Sequence, residues 1–147
     1  MVLMISNIMI PHKHLLVSAE FSNIVKNPEI ISNWIRSLVQ RINMKILHGP
    51  VSIYSSMEGN RGITSFAIIE TSHIALHIWD ETNPATLQLD VYSCSDLDIN
   101  EVFKSLSFFD PLKIQYKFLD RDKEFIEIKT PTQTVIENWV NKISKKK

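Results

Sequence analysis

Residues 70 to 81 read ETSHIALHIWDE and bring hydroxyls, two imidazoles, an indole and an acidic pair into an otherwise apolar stretch. Two kinds of chemistry could use them. A hydroxyl near an imidazole makes a nucleophile with its base. Two histidines with three residues between them, His73 and His77, would suit a metal ion if the segment were a helix. The flanking Ile74, Ala75, Leu76, Ile78 and Trp79 favour a strand instead and no third ligand is evident, so no metal is expected.

The nucleophile reading depends on how the chain positions these groups. If GITSFAII (62–69) and HIALHIWD (73–80) form a hairpin turning near Glu70 and Thr71, residues whose numbers sum to 141 face each other, which pairs Thr64 with His77. Along a regular strand Ser72 and His77 point to opposite faces, because five residues is an odd spacing. Ser72 must therefore lie in the turn or in a bulge for the two to cooperate. The turn has none of the Gly, Asn or Asp-Gly residues that relaxed two-residue hairpins prefer. That predicts a strained backbone at Thr71–Ser72, which favours chemistry on the bond between them.

The elements that must hold this stretch are legible around it. HKHLLVSAEF (12–21) reads as a strand. Asn27 as a cap and Pro28 at the first helical position open a helix whose apolar face is Ile31, Trp34, Ile35, Leu38, Val39 and Ile42. KILHGPVSIYS, GITSFAIIE, HIALHIWDE and TLQLDVYSC follow as four strands. Asp98 and Glu101 have capping-box spacing, which predicts a second helix near 99–108. LKIQYKFLDR and EFIEIK return as strands, and a last helix over 130–147 presents Val135, Ile136, Trp139, Val140 and Ile143. The expected fold is α+β, a two-layer α/β sandwich of a mostly antiparallel sheet with helices on one face, as a single domain over 1–147. SFAII and IALHIW carry apolar residues in both alternating registers, so both sheet faces should be covered, the second of them in a homodimer.

Composition limits the partners. With 147 residues, 44% of them hydrophobic, the chain can build a real core. Lys plus Arg balance Asp plus Glu at 16 each, so no overall field would attract nucleic acid or an anionic membrane, and the basic KISKKK end reads as a solvated helix end. Cys94 is the sole cysteine, which excludes an internal disulfide and a multi-cysteine zinc site and points to a reducing, cytoplasmic setting. MVLMISNIMIP lacks a basic leader region and falls well short of the about 20 residues that span a bilayer. Residues 1–11 are expected to form an extra strand or packing arm.

GITSFAIIETSHIALHIWDE followed by LQLDVYSC, together with the upstream HLLVSAEF, resembles the prokaryotic S-adenosylmethionine decarboxylases over roughly residues 12–128. Their signature is close to G-V-S-G-V-V-V-I-x-E-S-H-I-x-I-H-T-W-P-E and then D-V-F-T-C. The resemblance implies that the chain cuts itself between Thr71 and Ser72 and that Ser72 becomes a pyruvoyl group, the cofactor of a decarboxylase in polyamine (spermidine) biosynthesis. Carried over residue by residue, Thr64 stands where the family has a processing serine, His77 is the processing base, Cys94 the proton donor, and Glu81 the holder of the substrate's ribose hydroxyls. The chemistry suits these types: Ser72 can attack the Thr71 carbonyl to give an ester, a donor such as Thr64 can stabilise the tetrahedral stage, and an imidazole can take the serine α-proton.

The chain also departs from that pattern. Thr71 stands where the family usually has glutamate, SMEGNRG lacks the usual aromatic that faces adenine, and the loop between His77 and Cys94 is about two residues longer. Two further readings follow: a pyruvoyl decarboxylase of a smaller amino acid such as arginine or ornithine, and an unprocessed homologue acting as a regulatory or binding subunit.

Overall fold

Strict alternation along the central strands decides which face of the sheet is core. In the computed structural model, which describes residues 9–129, Leu15, Val17, Ala19 and Phe21 of β1 (Lys13–Phe21) and Ile74, Leu76 and Ile78 of β4 (Ser72–Trp79) are buried. Ala85, Leu87, Leu89, Val91 and Ser93 of β5 (Ala85–Ser93) join them on that face. The seven strands, β2 (Ile46–Ser55), β3 (Gly62–Ile69), β6 (Pro111–Asp120) and β7 (Ile126–Glu127) included, form one sheet in the order β2-β3-β4-β5-β1-β6-β7. Every pairing is antiparallel.

Helix α1 (Pro28–Arg41) starts where the cap residues predict: the Asn27 side chain accepts from the Glu29 N–H over 3.0 Å, and Pro28 costs nothing at a position whose N–H has no helical partner. Its buried face of Ile31, Trp34, Ile35, Leu38 and Val39 lies on the sheet, each large side chain contributing about 2 kcal/mol of burial. Trp34 satisfies its indole N–H on the Ser105 carbonyl at 2.9 Å, and its ring meets Phe109 edge-on. Beneath α1 the hydroxyls of Ser32, Ser52 and Ser65 form a chain with contacts of 2.7 and 2.6 Å, so the buried Ser32 and Ser65 are both satisfied by the half-buried Ser52.

Helix α2 (Ile99–Leu106) differs from its sequence signature in one detail. Asp98 caps it through the Asn100 N–H at 3.0 Å, but Glu101 does not reach back to complete the box. It is taken by Lys104 at 2.6 Å and Arg41 at 3.6 Å. A short 3-10 turn (Ser107–Phe109) leads into β6. Of the strand expected in EFIEIK only Ile126–Glu127 pairs. The helix expected over 130–147 and residues 1–8 of the N-terminal arm lie outside the described residues, and residues 9–12 have no regular structure.

The opposite face is the open one. Thr64, Phe66 and Ile68 of β3 and His73, Ala75, His77 and Trp79 of β4 point there, with Phe66 44% and Ile68 42% exposed, beside Val51 and Ile53 of the edge strand β2. Within this chain the described residues cover one face of the sheet, not both.

Candidate functional site

Two groups of residues stand at opposite ends of the β3–β4 hairpin. At one end, Glu70 and Thr71 form the two-residue turn, and Ile69 pairs with Ser72. Ser72 is the first residue of β4, paired also with Ser93, and lies neither in the turn nor in a bulge. The strain predicted for this turn is centred on it: its φ is +143°, a region that side-chain-bearing residues rarely enter. Such a φ breaks the alternation, so strand parity no longer fixes which face the Ser72 hydroxyl reaches. Among the described residues that hydroxyl has no hydrogen-bond partner.

The carbonyl beside it is held firmly. Thr71 O accepts from the backbone N–H of Cys94 over 2.7 Å, and the Thr71 hydroxyl donates to Met44 Sδ at 3.2 Å. The Glu70 N–H donates to the Lys45 carbonyl at 2.9 Å. The turn is thereby tied on one side to the end of β5 and on the other to the segment entering β2. A peptide carbonyl with a donor already on its oxygen is prepared for attack at its carbon, because the donor stabilises the developing oxyanion.

At the other end, Thr64 and His77 face each other as the register argument requires, with Oγ1 3.2 Å from Nδ1. His77 stacks on Trp79, whose indole N–H donates to Asn60 Oδ1 at 2.7 Å. Glu81, exposed just beyond β4, accepts from the Gly59 N–H at 2.9 Å. Five residues of extended chain separate Ser72 from His77, about 17 Å at the usual rise. The expectation that Ser72 moves into the turn to reach His77 is therefore corrected: within one chain Thr71, Ser72 and Cys94 form one group, and Thr64, His77 and Glu81 another.

The second end contains three residues that the sequence argument did not identify. Asp80, its side chain 1% exposed, accepts from Arg61 Nε at 2.6 Å and from the Tyr54 hydroxyl at 2.9 Å. Burial would push this carboxyl up, but the Arg61 and Tyr54 hydrogen bonds and the Arg61 charge outweigh it and hold the group below the usual carboxylate range. Asp80 shares its parity with Ile74, Leu76 and Ile78, so the alternation itself could have flagged a buried acid. Next to it, Gly62 has φ +148°, and a Cβ there would lie 1.8 Å from the Ile78 carbonyl oxygen.

On the open face, one strand row from Ser72, a polar cluster joins β1, β4, β5 and the end of β6. His14 Nε2 lies 2.6 Å and His73 Nε2 3.5 Å from Asp90, and His12 meets the Tyr92 hydroxyl at 2.8 Å. Arg121 NH1 stands 3.1 Å from His14 Nδ1, and its guanidinium lies over the Tyr92 ring. A guanidinium can only donate, so His14 accepts at Nδ1 and donates from Nε2 to Asp90. His12 and His14 are thus network members, while His73 stacks against Phe66 as a histidine on the open face. Among the described residues no group of three His, Cys, Asp or Glu could hold a metal ion, and no helix is long and apolar enough to cross a membrane.

Comparison with known proteins matches residues 13–122 to the family model of S-adenosylmethionine decarboxylase. An S-adenosylmethionine decarboxylase proenzyme of Pyrobaculum islandicum is 42% identical over 64 residues, covering 42% of this chain and 50% of its own length. That of Pyrobaculum neutrophilum is 40% identical over 62 residues, covering 41% and 48%. The chain thus matches about half the length of these relatives. The crystal structure of the adenosylmethionine decarboxylase from Aquifex aeolicus superimposes with a TM-score of 0.55 at 19% identity, over 82% of this chain and 96% of that one, a likeness of fold.

Proposed function

Because this chain belongs to the S-adenosylmethionine decarboxylase family, we propose that it is a proenzyme that cuts itself before Ser72 and then decarboxylates S-adenosylmethionine for polyamine synthesis. The observation that carries the reading is the Cys94 N–H on the Thr71 carbonyl beside a strained Ser72 whose hydroxyl is free of partners among the described residues.

The cut follows from these groups. Ser72 Oγ bonds to the Thr71 carbonyl carbon while the Cys94 N–H holds the oxyanion; the Thr71–Ser72 C–N bond then breaks and the Oγ proton ends on the Ser72 amine. A base removes the Ser72 α-proton, the Cβ–Oγ bond breaks, and Thr71 leaves as a carboxylate. Water then replaces the nitrogen, released as ammonia, and a ketone remains at position 72. When formed, that pyruvoyl group supplies an electron sink for loss of carbon dioxide from a substrate bearing an amine. The Cys94 thiol, at the same end of the hairpin, returns a proton to the substrate carbon. Glu81 accepts hydrogen bonds from the substrate's ribose hydroxyls.

The separation of the two groups gives the homodimer a catalytic reason. A second copy laid face to face on the open side of the sheet, related by a two-fold axis that runs across the strands, would bring its Thr64–His77 end to the Ser72 end of the first. The same contact buries Val51, Ile53, Phe66 and Ile68, apolar side chains that are otherwise exposed. In this arrangement His77 of one copy takes the α-proton of Ser72 in the other, and the Thr64 hydroxyl, 3.2 Å from the imidazole, orients it.

Release of labelled carbon dioxide from carboxyl-labelled S-adenosylmethionine by the cleaved protein tests the reading. Release only from arginine or ornithine contradicts the substrate, and release from none contradicts the activity. A second reading, an uncut regulatory or binding subunit, is favoured by Thr71, whose hydroxyl is engaged by Met44 where the family signature has a carboxylate.

A further inference from the structure

The cleavage and decarboxylation chemistry makes no use of Asp80, yet it is the most completely buried carboxylate at the Glu81 end of the hairpin. Position 80 is tied to its surroundings by four hydrogen bonds: Oδ1 to Arg61 Nε at 2.6 Å, Oδ2 to the Tyr54 hydroxyl at 2.9 Å, its carbonyl to Arg61 NH2 at 3.1 Å, and its N–H to the Arg61 carbonyl at 3.1 Å. Three of these bind the last residue of the 56–61 loop. The neighbours on either side bind the same loop, Trp79 through Asn60 and Glu81 through the Gly59 N–H.

Packing does not hold the tip of that loop. A Cβ added at Gly59, where φ is +80°, would meet nothing within 4 Å, so the loop tip stands in open space. The turn closes on itself through the Asn60 N–H to the Met57 carbonyl at 3.0 Å and is joined to the end of β2 by the Met57 N–H to Ser55 Oγ at 3.3 Å, and the hydrogen bonds to residues 79–81 tie it to the end of β4, the buried members of that set being those of Asp80. A carboxylate withdrawn from water and bonded on both oxygens has one satisfied arrangement and a large penalty for leaving it. An exposed carboxylate such as Glu81, held by one backbone N–H, would otherwise sample many rotamers. In the signature this chain resembles, proline stands between the tryptophan and the glutamate. Proline fixes its own φ, whereas Asp80 fixes the same place by bonding across to Arg61 and Tyr54.

We propose that Asp80 is a positioning residue for substrate binding: with Arg61 and Tyr54 it fixes the 56–61 loop against the end of β4, and through Gly59 it orients the Glu81 carboxylate toward a ribose diol. The proposal rests on the role given to Glu81 above, and it assigns the specificity of that role to a buried clamp that does not itself touch substrate.

The test is a double-mutant cycle in the full chain. Asp80→Asn should leave self-cleavage intact and raise KM about tenfold with kcat within about twofold, the pattern of lost binding shared by ground and transition states. Glu81→Gln should do the same, and the two together should raise KM by much less than the product of the single effects. Effects that multiply fully would overturn the proposal. Should Asp80→Asn not fold, Tyr54→Phe, which removes a single hydroxyl from the clamp, enters the same cycle. Amide exchange at Gly59 reads the clamp without substrate: about tenfold faster exchange in the variant is expected, and unchanged exchange overturns the clamp whatever the turnover. Wild-type protein that turns over no substrate while Gly59 exchange still responds contradicts the decarboxylase reading, and with it the role of Glu81, and leaves the clamp standing.

Discussion

The backbone N–H of Cys94 lies 2.7 Å from the carbonyl oxygen of Thr71, so the residue whose thiol is proposed to serve decarboxylation would also supply the main-chain donor for the proposed cut. The two contributions are separable, because a side-chain substitution leaves the N–H in place. Cys94→Ala should therefore still be cleaved before Ser72 but lose turnover by about a hundredfold, the lower range for removal of a positioned proton donor. Normal decarboxylation by the cleaved variant would remove the donor assignment.

The proposed cooperation between Ser72 of one copy and His77 of another predicts complementation. Ser72→Ala and His77→Ala proteins should each stay uncut alone. After mixing and subunit exchange, the His77→Ala chain should be cut, since its intact Ser72 then faces a wild-type His77. The check is gel analysis of the mixture with the two chains distinguished by mass. No cleavage in a mixture shown to contain heterodimers would contradict the shared site.

Asp80 should give stability a defined acid dependence. Its folded value lies below the ordinary 3.8, so the folded state binds fewer protons and the carboxylate's contribution is complete above that value. It is lost as pH falls through the lower, folded one. The gap in urea midpoint between wild type and Asp80→Asn should be constant from neutrality to about pH 5 and shrink below about pH 4. A gap that persists unchanged to pH 2 would speak against an ionised Asp80 in the fold.

Two glycines at the same end should behave differently. Gly62→Ala places a Cβ 1.8 Å from a backbone oxygen that cannot move without breaking the β3–β4 ladder, and should destabilise by at least about 2 kcal/mol. Gly59→Ala meets only the left-handed φ and should cost about 1 kcal/mol. Denaturant unfolding of both variants provides the comparison, and equal losses would contradict the packing at Gly62.

Much of this is legible in the sequence. The cap at Asn27–Pro28, the face of α1 and the pairing of Thr64 with His77 all follow from local periodicity, which acts within a few residues. The strain at Ser72 followed from an absence, the lack of a turn-forming glycine. The position of Ser72 differs from the parity argument, which put the serine in the turn or a bulge: it opens β4 with φ +143°, a local backbone conformation that strand alternation does not anticipate. Asp80 with Arg61 and Tyr54, and His14 with Asp90, join residues 19, 26 and 76 apart in the chain, and no spacing rule connects such pairs. Glu101 shows the converse: its capping-box spacing was correct, but Lys104 and Arg41 offered charge that a backbone N–H could not match.

The central claim, that Ser72 is consumed to make a cofactor, is tested most directly by the intact mass of purified full-length protein after prolonged incubation. The account predicts two fragments, residues 1–71 and 72–147, the second with an N-terminus that resists sequencing and reacts with carbonyl reagents. A single uncut mass, unchanged with time, would contradict it.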